Sequence, residues 1–115
     1  MIAVIFEVQP RPGQKEAYLE AAAALRPLLA RVDGFISIER FESLTCPGKI
    51  VSLSYWRDED AVREWRNVEP HRRIQSAGRQ VMFADYRLRV AQVIRDYGMN
   101  DRAEAPADSR LMHDG

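Results

Sequence analysis

Residues 35–57 read FISIERFESLTCPGKIVSLSYWR, and the pair in the middle of this stretch decides the fold. Proline presets φ for a tight turn and glycine supplies the positive φ that such a turn asks of its next residue, so Pro47-Gly48 marks a reversal of the chain. Apolar and β-branched residues flank it on both sides. The spacing therefore predicts a strand over Phe35–Leu44, a turn at Thr45–Gly48 and a strand over Lys49–Arg57, which together make a hairpin.

Upstream of the hairpin, Tyr18, Ala22, Leu25, Leu29 and Val32 recur at steps of four and three, the period of a helix that buries one stripe. A helix over Gln14–Val32 follows, favoured by the alanines at 21–24 and stopped by Asp33-Gly34. Pro27 lies inside it and removes a backbone donor, so a kink or irregular last turns are expected. Before that helix, residues 2–9 alternate with the period of a strand: Ile2, Val4, Phe6 and Val8 on one side, Ala3, Ile5, Glu7 and Gln9 on the other. Pro10, Pro12 and Gly13 end it.

Downstream, Asp58 is placed to cap a second helix whose inward residues are Ala61, Val62, Trp65 and Val68, with Asp58-Glu59-Asp60 at the positive end of its dipole. Pro70 divides it into one piece ending near Asn67 and another running from Val68 or Glu69 to Gly78. Residues 82–97 alternate again as a long last strand. Residues 99–115 are polar, aperiodic and carry Pro106, which predicts a flexible tail or an arm ordered by a partner. The folded domain is thus expected at residues 1–98.

The order β-α-β-β-α-β is that of the split βαβ, or ferredoxin-like, unit: an α+β fold with a four-stranded antiparallel sheet and both helices on one face. Both sides of its strands carry apolar groups, Val51, Leu53 and Tyr55 against Ile50 and Trp56 in the third strand. Two helices cover only one side. Leaving the other wet would forfeit several kcal/mol at roughly 25 cal/mol per Å² of apolar surface, so a second copy laid face to face, a homodimer, is the expected cover.

Bulk properties narrow the functions. With 115 residues, 17 basic against 17 acidic side chains and 46% hydrophobic residues, the chain suits one domain and carries no long-range field for nucleic acid or a membrane surface. No apolar run approaches the ~20 residues of a membrane span. A single cysteine, Cys46, allows no internal disulfide, and the expected setting is the cytoplasm. There is no phosphate-binding glycine loop, nucleophile elbow or metal-ligand spacing, so neither metal-dependent hydrolysis nor nucleotide chemistry is expected.

The side chains left for chemistry gather in and after the second helix. Trp65 and His71 are the candidate catalytic residues; Phe6, Gln75, Arg79, Phe83 and Tyr86 are the candidate substrate-binding residues. His71, in a first helical turn after Pro70, reads equally as a base near pH 7 or as an ordinary structural histidine. Trp65 reads as core or as the aromatic wall of a pocket. Arg66, Arg72, Arg73 and Arg79 are interleaved with Glu64 and Glu69 and read as a solvated helix face rather than a nucleic-acid patch.

Taken in order, Ile2–Val8, Asp33-Gly34-Phe35-Ile36-Ser37, Leu53-Ser54-Tyr55-Trp56, Asp60-Ala61-Val62-Arg63-Glu64-Trp65-Arg66, His71 and Phe83-Ala84-Asp85-Tyr86-Arg87 resemble the antibiotic biosynthesis monooxygenase domain. The resemblance covers about residues 1–98. It implies a dimeric α+β barrel with a pocket between sheet and helices. Some relatives oxidise polycyclic phenols with O2 and no metal or flavin, and others bind and degrade haem. Trp65 and His71 match the tryptophan and histidine of that region. Where the haem-degrading branch has an asparagine in its first strand this chain has Phe6 or Glu7, and its tryptophan-to-histidine interval is longer than that from Trp65 to His71.

Three functions follow as expectations. The first is a cofactor-independent monooxygenase acting on a small aromatic, hydroquinone-like molecule with O2. The second is a non-catalytic dimeric module that holds a small apolar ligand or serves in stress. The third is a haem binder with His71 as axial ligand.

Overall fold

Alternation along the strands and the stripe along the first helix assemble one sheet with its helices on one side. The computed structural model describes residues 1–68, 73 and 81–113. Its elements are β1 (Ile2–Pro10), α1 (Lys15–Leu29), β2 (Phe35–Glu42), β3 (Ile50–Trp56), α2 (Glu59–Arg66), β4 (Phe83–Gln92) and α3 (Ala107–His113). The sheet is antiparallel in the order β2-β3-β1-β4, the ferredoxin-like arrangement. The predicted second piece of helix after Val68 falls outside the described residues.

The turn that organises the hairpin has the predicted chemistry. The Lys49 amide donates to the Cys46 carbonyl at 3.2 Å across Pro47-Gly48, and Gly48 takes φ +85°, as the second corner of a type II turn requires. β2 ends at Glu42, two residues earlier than its composition predicts. The Ser43 hydroxyl accepts from the amides of Thr45 and Cys46, which turns the backbone out of the ladder and leaves Leu44 fully exposed.

α1 buries Tyr18, Ala22, Leu25 and Leu29, the predicted stripe. Pro27 stays inside the helix, and its effect falls on the end: the amides of Arg31 and Val32 bond three residues back, to Leu28 and Leu29, so the last turns are tight 3₁₀-like turns rather than α-helix. Asp58 caps α2 by accepting the Ala61 amide at 2.9 Å.

β4 stops at Gln92, short of the predicted Arg95–Tyr97. It lies on the edge, and its ladder partner β1 begins at Ile2, opposite Gln92. One last bond, from the Val93 amide to the Met1 carbonyl, follows the ladder. The segment beyond, expected as a flexible tail or an arm ordered by a partner, carries the short helix α3. Arg110 holds it together by donating to the carbonyls of Arg102, Ala103 and Ala105, a polar clasp that leaves no apolar period to read.

Among the described residues, the buried side chains include two packed groups. Val8, Tyr18, Ile50, Met82 and Phe83 pack at one end of the sheet. Leu29, Val32, Trp56 and Ala61 pack at the other. On β3 the inward residues are Ile50, Ser52, Ser54 and Trp56, all buried, so each end of the strand enters one group and two serines lie between. Serine is too small to fill that middle space.

Candidate active-site cavity

The space between the two groups is a cavity of about 150 Å³. Three strands make most of its sheet side, with Ile38 and Arg40 coming from β2. Val4 and Phe6 come from β1, and Ser52, Ser54 and Trp56 from β3; the register pairs Val4 with Ser54 and Phe6 with Ser52, so each apolar wall residue faces a hydroxyl. Most of the helix side is apolar: Ala22, Leu25 and Leu29 of α1 and Val62 and Trp65 of α2. Phe83, 7% exposed, closes one end together with Tyr18.

An aromatic cluster fixes that end. Phe83 meets Tyr18 edge-on at 5.7 Å between ring centroids and Phe6 at 5.8 Å. Offset and edge-on contacts of this kind are the preferred ones, and they hold the ring faces at fixed angles to the hollow. At the other end Phe35 stacks edge-on against Trp56 at 5.3 Å, and the Trp56 indole N–H donates to the Ser54 hydroxyl at 2.9 Å.

The polar lining is made of donors. Arg40 stands at the inward phase of β2, opposite Ser52, and donates through Nε to the Tyr18 hydroxyl at 3.5 Å. Arg26 of α1 and Arg66 of α2 also line the cavity and are otherwise exposed. No carboxylate stands among the described lining residues. Nor do the described residues include a group of three His, Cys, Asp or Glu able to hold a metal.

Of the residues singled out from sequence, Phe6, Trp65 and Phe83 line this cavity. Tyr86 does not. Its ring backs onto Phe6 and Phe83 at 5.6 and 5.9 Å, while the side chain faces a shallow surface depression with Glu7, Gln9 and Cys46. The reason is positional: Tyr86 pairs with Val8, one step beyond Phe6, past the end of the hollow. His71, Gln75 and Arg79 lie outside the described residues. Sequence reasoning passed over Tyr18, Arg40, Ser52 and Ser54. Their one signal is phase, because polar residues at inward positions of a half-buried strand have to serve something.

A ferredoxin-like sheet with a small, aromatic-walled hollow under its helices places the chain among α+β proteins with a cavity between sheet and helices. Within that class the chain belongs to the antibiotic biosynthesis monooxygenase family, whose sequence model matches residues 1–77. It is 48% identical over 101 residues to a jasmonate monooxygenase of Pyricularia oryzae, covering 88% of this chain but only 47% of that relative, so it spans about half the relative's length. An uncharacterized protein of Bacillus subtilis, YqjZ, is 32% identical over 93 residues, covering 81% of this chain and 79% of its own. Among solved structures, SnoaB, a cofactor-independent oxygenase from Streptomyces nogalater, superposes with a TM-score of 0.71 at 15% identity, over 83% of this chain and 94% of that one. No helix among the described residues is long and apolar enough to cross a membrane.

Proposed function

We propose that this chain is a monooxygenase that works without a bound cofactor and oxidises a single-ring, hydroquinone-like molecule with O2. The observation that carries the reading is the cavity walled by Phe6, Trp65 and Phe83. At about 150 Å³ it matches the size of apolar cavity that accepts benzene, which favours one ring over the polycyclic phenols taken by some relatives. The family and the jasmonate monooxygenase likeness support oxygenase chemistry.

The overall step balances without an outside reductant. A hydroquinone and O2 give a hydroxyquinone and water: one oxygen atom enters a ring C–H bond, the other leaves as water, and all the electrons come from the substrate. In this reading His71 takes the phenolic proton as base. The serine hydroxyls on the sheet side, Ser52 and Ser54, stabilise the phenolate oxygen that results. Trp65, Phe6 and Phe83 hold the ring and exclude water, so the electron-rich anion meets O2 rather than being reprotonated.

An oxygen electrode with a panel of single-ring hydroquinones tests it. Uptake above the rate of autoxidation is expected, with kcat/KM reduced about 100-fold or more in His71→Ala, the usual scale for loss of a general base. Equal turnover by that variant assigns the base elsewhere; no turnover by the wild-type chain removes the enzymatic reading. The assembly proposed with this activity is a homodimer in the cytoplasm, its two sheets face to face, with neither nucleic acid nor membrane as partner.

A further inference from the structure

We infer that the cavity takes an acid: a small, single-ring carboxylate whose head is bound by Arg40, with Tyr18 setting the position of the guanidinium. The inference rests on the reading above that this cavity is the substrate site, and it adds the charge of the substrate.

Cations that are partly out of water are normally paired with carboxylates, as Lys49 is with Glu7 in this chain. Arg40 has no carboxylate partner among the described residues. It is half-buried, it lines the cavity, and its hydrogen-bond partner among the described residues is a neutral phenol. Glu42, two residues on along the same face of β2, is engaged by Lys15 at the start of α1.

The groups around Arg40 point to an anion as well. Ser52 is 7% exposed, and no other described residue bonds to its hydroxyl. The Ser54 oxygen already accepts the Trp56 indole N–H, which leaves its own O–H to donate. Arg26 adds positive charge along the same cavity. A neutral phenol or ketone needs one or two donors. Guanidinium charge together with several hydroxyl donors and no acid matches a full anion, and arginine's planar fork fits a carboxylate in two bonds.

Calorimetric titration of the full chain with phenylacetate, its neutral isostere phenylacetamide, and phenol decides the point. Phenylacetate is expected to bind about tenfold or more tightly than the amide, the scale of one charge-assisted hydrogen bond, and more weakly as salt is raised. Arg40→Met should bring acid and amide to equal affinity, while Arg40→Lys, which keeps the charge and serves as the folded control, retains part of the difference. Equal binding of acid and amide by the wild-type chain overturns the inference and leaves the cavity as a ligand site. Phenol bound as tightly as phenylacetate overturns it too, because the recognised oxygen is then a hydroxyl. If none of the three binds, the site reading itself fails and takes the inference with it.

Discussion

Gly34 sits where the backbone has φ +92° and where an added Cβ would lie 2.9 Å from the Cβ of Ala61. Its carbonyl also accepts the Arg57 amide at 2.7 Å, tying the entrance of β2 to the start of α2. Left-handed strain and overlap together predict that Gly34→Ala costs roughly 2–4 kcal/mol, read as a lower urea midpoint with unchanged slope. Two acidic residues carry a pH signature. The Ala61 amide first, then Arg57, holds the Asp58 carboxyl below its ordinary range. Arg89 chiefly, helped by Lys49, does the same for Glu7 against a smaller opposing effect of burial. Because both folded values are depressed, their contribution to stability is present at neutral pH and is lost as pH falls from the ordinary carboxylate range through the lower folded values. The melting temperature is expected to be level near pH 7 and to fall below about pH 4; in Asp58→Asn, which still caps but no longer titrates, that fall should be shallower.

Among the elements, β3 makes the site. Its inward sequence Ile50-Ser52-Ser54-Trp56 buries large side chains at both ends and small hydroxyls between them. Ser52→Val would replace a buried hydroxyl with a β-branched side chain that suits a central strand and fills part of the hollow. The expected result is a higher melting temperature together with a loss of single-ring ligand binding of about tenfold or more, comparable to the discrimination set by a methylene or two in a tight pocket; thermal unfolding and calorimetry on one preparation read both. Element identity was legible in the sequence because it depends on local chemistry: the Pro47-Gly48 turn, the α1 stripe, the Asp58 cap. Element ends were not, since they depend on partners. β4 stops opposite the start of β1, β2 stops where Ser43 captures two amides, and α3 is held by an arginine clasp with no apolar rhythm.

For the whole molecule the open question is the sheet face away from the helices. Ile5, Val51, Leu53 and Tyr55 are half-buried there, Phe41 is 45% exposed, and Glu7 with Arg89 and Lys49 provides charge at one side. If two copies cover this face, Leu53→Asp, a charge at its centre, should convert a dimer by light scattering into a monomer and lower the melting temperature, without touching the cavity on the other side. A wild-type chain that is monomeric at micromolar concentration would end the dimer proposal.

The sequence by itself determined the hairpin, the order of strands and helices, and the family resemblance, because alternation, helical period and turn chemistry act over a few neighbouring residues. Phe6, Trp65 and Phe83, singled out from the sequence as candidates, stand on the cavity wall. Only the tertiary structure decided that a hollow exists and what lines it. Tyr18, Arg40, Ser52 and Phe83 come from α1, β2, β3 and β4, and nothing local ties them together; the sheet register and the angle of α1 across it set a guanidinium, two hydroxyls and an aromatic ring around one small space. A missing volume is a property of how elements pack, and it has no periodicity to be read along the chain.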